Sequence, residues 1–235
     1  RLVSDWSSDV CSSDLYSIRG FQGARVLRDG FSVSGSDAVS NNGFLTLPEV
    51  ANLERIEVLK GPASILYGEI QPGGVVNLVT KRPTEEPLYE LQLQAGSRSL
   101  IRPQIDFSDR LSADGRLRYR INALYSSQDS VRDFDQDIDR VFVAPMVTWD
   151  IGDRTTLTID AEYFNDERPN DGGLLAFGDG ILDVPEDRIT GEPGDKVERD
   201  FFSTGYRLEH NFNDNWKIRN RSEEHTSELQ SLTNL

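Results

Sequence analysis

The chain has 235 residues, of which 37% are hydrophobic, and a formal net charge of -15 at pH 7. This acidic balance excludes a nucleic-acid-binding protein, because phosphate binding needs a basic surface. One cysteine excludes an internal disulfide framework, and no run of about 18 apolar residues encodes a transmembrane helix. Membrane-spanning β-strands remain compatible with this composition, because they alternate apolar with polar residues and so keep the mean hydropathy of the chain low.

The two ends of the chain differ in texture from the rest. Residues 5–15 (DWSSDVCSSDL) and 221–231 (RSEEHTSELQS) resemble translations of one sequencing-adapter oligonucleotide, read from opposite DNA strands. Segments of that origin are set aside before a fold is predicted. We therefore predict that residues 1–15 and 221–235 are adapter-derived, and that the natural protein continues beyond both ends of residues 16–220.

Residues 16–52 predict short strands joined by polar turns. The segments Tyr16–Phe21 and Arg25–Phe31 have strand character, and Gln22–Ala24 between them is typical of a turn. A polar loop rich in Ser, Asn and Gly follows over residues 32–43, and Leu47–Asn52 can form a helical turn with Pro48 in its first position.

Residues 53–83 form the most informative stretch, LERIEVLKGPASILYGEIQPGGVVNLVTKRP. Apolar and charged residues alternate up to Lys60, which predicts a strand, and Gly61-Pro62 ends it because proline has no N–H for the ladder. Residues 63–67 can form one helical turn. The glycines that follow are typical of turns, and residues 75–80 are rich in β-branched residues, which predicts a second strand.

After the Pro-bounded linker 81–87, longer segments alternate strictly. The predicted strands present apolar residues on one face and charged or polar residues on the other; they lie near residues 89–95, 100–110, 115–128, 139–149, 155–164, 201–212 and 216–220. Segments of about ten such residues fit membrane β-strands with an apolar outside and a polar inside. A soluble β-sandwich also alternates, but its polar face would meet bulk water.

The lengths of the connections separate these two interpretations. The second, fourth and sixth connections are short turns, whereas the third (126–139) and fifth (165–200) are long and the first is brief. All long connections then lie at one edge of the sheet, as outer-membrane barrels require of their outside face. About seven strands cannot close a plugged barrel, since these have about 22 strands.

The stretch 53–83, with YSIRGF at 16–21 and RDGF at 28–31, resembles the plug domain of TonB-dependent outer-membrane receptors, and its nearest likeness is to the ferrichrome-receptor type. The motif residues are Glu54, Arg55, Glu57, Gly61, Pro62, Tyr67, Gly68, Gly73, Gly74 and Asn77. The resemblance implies a mixed fold: an α+β plug domain over residues 16–83, followed over residues 84–220 by the first strands of an antiparallel transmembrane β-barrel.

The resemblance also assigns roles to single residues. By motif, Arg19 and Lys60 match the basic plug residues that pair with barrel carboxylates and hold the plug in place. Lys60 keeps the charge of the more common arginine but loses its bidentate fork. The upward plug loops imply ligand contacts, for which the candidates are Gln22, Gly23, Arg25, Asn41 and Phe44.

The implied function is import of a ferric siderophore across the outer membrane of a Gram-negative bacterium, powered by the TonB–ExbB–ExbD complex, in a protein that contacts outer-membrane lipid and no nucleic acid. The alternatives are a receptor for cobalamin, haem or an oligosaccharide, or a non-transporting sensor or binder. We predict no enzymatic activity, since a hydrolytic triad needs a base and His210 is the only histidine between the adapter-like ends. We also predict no covalently bound cofactor and no metal site, because the aspartates at 133–139 lack the glycine and the terminal glutamate of a calcium loop, whose positions hold Ile138 and Ala144.

Overall fold

The computed structural model describes Ile18, Gly20 and residues 25–32, 49–61, 73–135, 137–171, 173, 176–177, 180–181, 184–185, 187–189 and 191–232. The chain divides into two compact units, Arg1–Lys81 and Arg82–Leu235. All regular structure in the described residues is β-strand. None of these residues belongs to a helix long and apolar enough to cross a membrane.

The first unit contains a four-stranded sheet, here called the plug sheet. Its strands are β1 (Arg25–Arg28), β2 (Phe31–Ser32), β3 (Leu53–Lys60) and β4 (Gly74–Thr80). The order is β2-β1-β4-β3, with β4 parallel to β1 and antiparallel to β3. The two strands predicted within residues 53–83 are therefore confirmed, and they pair directly.

The predicted strand Arg25–Phe31 is wrong, because the chain reverses within it. Asp29 and Gly30 have φ values of 49° and 86°, and Arg28 pairs with Phe31 across the turn. Asp-Gly favours this left-handed two-residue hairpin turn. Of the predicted strand Tyr16–Phe21, Ile18 makes an isolated bridge and Gly20 lies in a turn; the proposed helical turn at 63–67 lies outside the described residues.

The second unit contains a seven-stranded antiparallel sheet, here called the wall sheet. Its strands are β5 (Leu88–Ala95), β6 (Ile101–Arg110), β7 (Leu117–Gln128), β8 (Ile138–Asp150), β9 (Thr155–Pro169), β12 (Lys196–Asn213) and β13 (Trp216–Leu232). Each pairs with its neighbour in the chain, so β5 and β13 are the open edges. A small hairpin, β10 (Ala176–Phe177) and β11 (Gly180–Ile181), lies between β9 and β12. The predicted strand number and antiparallel arrangement are confirmed.

The two faces of the wall sheet are inverted relative to those of a water-soluble sheet. One face exposes large apolar side chains, with Leu91 and Leu93 each 73% exposed and Ile159 52% exposed. The opposite face buries polar and charged side chains, among them Asp106, Arg120, Asn122, Thr148, Thr158, Glu162, Asp166 and Ser203. The alternation predicted from the sequence is therefore present in the sheet.

The long connections all lie at the same end of the wall strands, as predicted, but they are shorter than expected. Strand β9 continues to Pro169 and β12 already begins at Lys196, so the predicted loop 165–200 loses about five residues at each end. Lys196 donates to Glu167 across this extension (2.8 Å). Such polar cross-strand pairs continue the ladder beyond the point where apolar alternation stops.

Candidate functional site

The motif glycines close the open end of the β3–β4 pair. Gly61 donates its N–H to the carbonyl oxygen of Gly73 (3.0 Å), and Gly61 and Gly74 have φ values of 102° and 141°. A Cβ atom at Gly74 would lie 2.1 Å from the carbonyl oxygen of Leu59. Only glycine allows this backbone approach, so the glycines fix how β3 meets β4.

Asn77 ties three segments of the plug sheet together. Its side-chain oxygen accepts the N–H of Gly30 (2.8 Å), and its side-chain nitrogen donates to Glu57 (3.0 Å). This bond from Asn77, with a second from Arg55, holds the pKa of Glu57 below its ordinary value. The motif residue Asn77 thus connects the β1–β2 turn, β4 and β3.

Asp29 joins the β1–β2 turn to the end of β4. Its carboxylate accepts the backbone N–H (3.0 Å) and the hydroxyl (2.7 Å) of Thr80, while its own N–H donates to Leu78 (2.8 Å). Sequence analysis did not assign this role to Asp29. The dipeptide Asp-Gly was the available signal for the turn, but its partner lies 51 residues further along the chain.

Most predicted ligand and lock residues lie outside the described part of the chain: Arg19, Gln22, Gly23, Asn41 and Phe44. The motif residues Pro62, Tyr67 and Gly68 lie outside it as well. The backbone of Arg25 opens β1 and pairs with Val75. Lys60 is exposed at the end of β3, and Glu54 and Arg55 are exposed on the same strand. The assigned roles of these residues therefore stay predictions.

A buried ion pair anchors the start of the wall unit to the polar face of its sheet. Arg120 on β7 donates from Nε and Nη2 to the two carboxylate oxygens of Asp106 on β6, both at 2.8 Å, and its Nη1 donates to the carbonyl of Arg82 (2.7 Å). The Arg120 and Asp106 side chains are only 8% and 3% exposed. Two residues on, the N–H of Thr84 donates to Ser108 (2.9 Å). We call Arg82–Thr84 with Arg120, Asp106 and Ser108 the linker clasp.

His210 lies near the end of β12 that leads into a short turn, opposite to the end that bears the long connections. Its Nδ1 is 2.8 Å from the hydroxyl of Thr155, and its ring meets Phe212 edge-on at 4.6 Å between centroids. These contacts are the ordinary ones of a histidine near a strand end.

Known proteins share both parts of this architecture. Residues 3–75 match the family described as TonB-dependent Receptor Plug Domain. The chain is 37% identical over 181 residues to the metal-pseudopaline receptor of Pseudomonas aeruginosa, covering 77% of this chain and 25% of the relative. It is 37% identical over 175 residues to the ferrichrome outer membrane transporter/phage receptor of Escherichia coli, covering 71% of this chain and 23% of the relative.

The fold agrees with these sequence matches. The crystal structure of the ferripyoverdine receptor of Pseudomonas aeruginosa bound to ferripyoverdine superposes with a TM-score of 0.78 at 25% identity, over 92% of this chain and 29% of that one. A match to the plug family, followed along the chain by an antiparallel sheet with one apolar and one polar face, is the domain order of a TonB-dependent receptor. The chain belongs to the TonB-dependent receptors, and it spans about a quarter of the length of the curated relatives that it matches.

Proposed function

We propose that this chain is part of an outer-membrane receptor that imports a ferric siderophore with energy delivered by the TonB–ExbB–ExbD complex. The observation that carries the proposal is the inverted wall sheet. Exposed Leu91, Leu93 and Ile159 face the side opposite to buried Asp106, Arg120 and Asp166. Apolar residues outside and polar residues inside suit a strand wall between lipid and an aqueous or plugged interior.

The aromatic residues support the same placement in a membrane. Tyr163 and Phe202 pair on the apolar face, six residues from the strand ends that lead into the long connection, and Phe212 and Trp216 lie near the short turn at the other end of the strands. Phe202 and Phe212 are ten residues apart on β12, or about 34 Å at ~3.4 Å per residue. A strand tilt of about 40° reduces this span to roughly 26 Å, which matches the apolar band of an outer-membrane barrel.

The ligand class comes from the relatives, whose names specify ferrichrome, ferrioxamine and ferripyoverdine receptors. We assign the plug to residues 16–83, with Arg19 and Lys60 as its retaining cations and Gln22, Gly23, Arg25, Asn41 and Phe44 as ligand contacts. The name of the metal-pseudopaline receptor specifies no particular metal, so the second candidate is a metal chelate that is not restricted to iron.

The test is uptake of radioactive iron by cells that carry the complete receptor gene and lack their own siderophore receptors. We expect uptake of at least one ferric siderophore under iron limitation, and loss of uptake in a matched host without TonB. Equal uptake with and without TonB would contradict active transport. Uptake of another metal chelate, with none of any ferric siderophore, would favour the second candidate.

A further inference from the structure

Three arginines surround one buried carboxylate on the polar face of the wall sheet. Asp166 on β9 pairs in register with Arg140 on β8 and with Arg199 on β12, and Arg168 follows two residues later on the same face. Asp166 accepts bonds from Nε of Arg140 (2.9 Å) and Nε of Arg168 (2.6 Å), and its side chain is only 4% exposed. One carboxylate is therefore shared by two of the three cations.

Arg199 differs from Arg140 and Arg168 in making no hydrogen bond or ion pair with Asp166. Among the described residues, its guanidinium makes no ion pair within 4.0 Å, and its nearest ring contact is with Phe164, at 5.9 Å from the centroid. Arg140 lies 5.4 Å from the centroid of the same ring. Stacking on a ring holds a guanidinium in place while its N–H groups stay able to donate in their own plane.

The balance of charge in this cluster is positive. The buried carboxylate of Glu162 lies on the same face, two residues before Phe164, and is engaged in contacts of its own. Three arginines against Asp166 and Glu162 leave one positive charge in excess. The chain as a whole carries -15, so this cluster is a local reversal of sign. A cluster with an excess of one sign attracts ligands of the opposite sign.

We propose that Arg199 forms an anion-binding subsite that selects ferric chelates carrying a negative charge, such as a free carboxylate. Arg199 lies three residues after Lys196, the first residue of β12, so the subsite is at the end of the wall strands that leads into the long connections. Arginine suits this role because its planar fork binds a carboxylate through two parallel hydrogen bonds. The inference rests on the proposed function, because it names the class of chelate for that transport site.

The test uses one iron-binding core at three charges, bound to the purified complete receptor. Ferrioxamine B carries a protonated amine; its N-acetyl derivative is neutral and its N-succinyl derivative ends in a carboxylate. We expect the succinylated chelate to bind at least about tenfold more tightly than the acetylated one, the effect of a charge-assisted pair. Arg199→Gln should remove that preference and leave binding of the neutral chelate within about twofold, and Arg199→Lys should restore part of it.

The matched control is Arg207→Gln, the same substitution on the same strand and face, about 27 Å away at ~3.4 Å per residue. It should leave the charge preference intact. Charge-independent binding by the wild type, or a preference that survives Arg199→Glu, would overturn the subsite while leaving siderophore transport standing. Failure of cells to take up any iron chelate would instead overturn the proposed function, and the subsite with it.

Discussion

At the scale of single residues, Asn77 offers the sharpest test of the plug sheet. We expect Asn77→Ala to destabilise the plug by about 1–3 kcal/mol, because the N–H of Gly30 loses its acceptor in a partly buried position. Hydrogen exchange of the complete receptor should show faster exchange at residues 29–30 and in β4. Glu54→Gln, on an exposed position of β3, is the control and should leave these rates unchanged.

The loss of stability in Asn77→Ala should depend on pH through Glu57. In the wild type, the pKa of Glu57 is lowered first by the bond from Asn77 and then by Arg55. A lowered pKa contributes stability above the ordinary carboxyl pKa of 4.5, and this contribution is lost as the pH falls through the folded-state value. The difference in stability between wild type and Asn77→Ala should therefore be larger at pH 7 than below pH 4.5, by the part that belongs to Glu57. A difference that grows on acidification would contradict this assignment.

The sequence indicated that the glycines and Asn77 belong to a motif, but not what they do. Gly73 and Gly74 were predicted as turn residues, yet Gly74 opens β4 and its special constraint is the carbonyl of Leu59. Asn77 is a lone polar residue in a run of Val and Leu. Its partners lie 47 and 20 residues away, and local periodicity carries no information about such contacts.

At the scale of elements, we expect the linker clasp to protect residues 82–85 from local unfolding. Arg120→Met removes from buried Asp106 the cation that donates to both of its carboxylate oxygens, which costs about 3–5 kcal/mol. It also removes the donor to the carbonyl of Arg82. We expect exchange at residues 82–85 to rise together with that of the β6–β7 ladder.

Two controls separate the clasp from a general effect of charge. The double variant Arg120→Met/Asp106→Leu should recover part of the wall stability, because the buried carboxylate is removed together with its arginine, whereas residues 82–85 should stay released. Arg116→Gln removes an exposed cation whose partner Asp153 is 91% exposed, and it should change stability by less than about 1 kcal/mol. Unchanged exchange at residues 82–85 in both Arg120 variants would show that the clasp does not anchor this segment.

Strand number, antiparallel order and the side of the long connections followed from the sequence alone. Period-two alternation repeats over many residues in β7, β8 and β9, so these strands are strongly determined. The ends of β9 and β12 were missed because polar residues such as Glu167 and Lys196 hide a continuing ladder. The clasp was not foreseen either, since Asp106 and Arg120 meet only through the β6–β7 register.

At the scale of the whole molecule, β13 changes character partway along its length. Its apolar face begins with Trp216 and Ile218, which are 71% and 51% exposed. Further along, the exposed positions on that face are Ser222, Glu224 and Thr226, and Thr226 pairs with Phe202 on β12. On β12 the apolar face continues at least to Phe202. If this face meets lipid, Glu224 on the neighbouring strand β13 would place a carboxylate in lipid, which is unfavourable.

We propose that this change marks the junction at Asn220, where residues that resemble translated adapter begin, and likewise that residues 1–15 are not encoded by the gene. The plug-family match starts at residue 3, so it takes in part of the first segment. Sequencing the genomic DNA outward through both ends is the direct measurement. We expect the true codons after Asn220 to place apolar residues at positions 222, 224 and 226, and further alternating strands to follow. Upstream of Tyr16, we expect an uninterrupted plug. Genomic codons that encode RSEEHTSELQS after Asn220 would contradict the junction, and they would require β13 to carry Glu224 on its outer face.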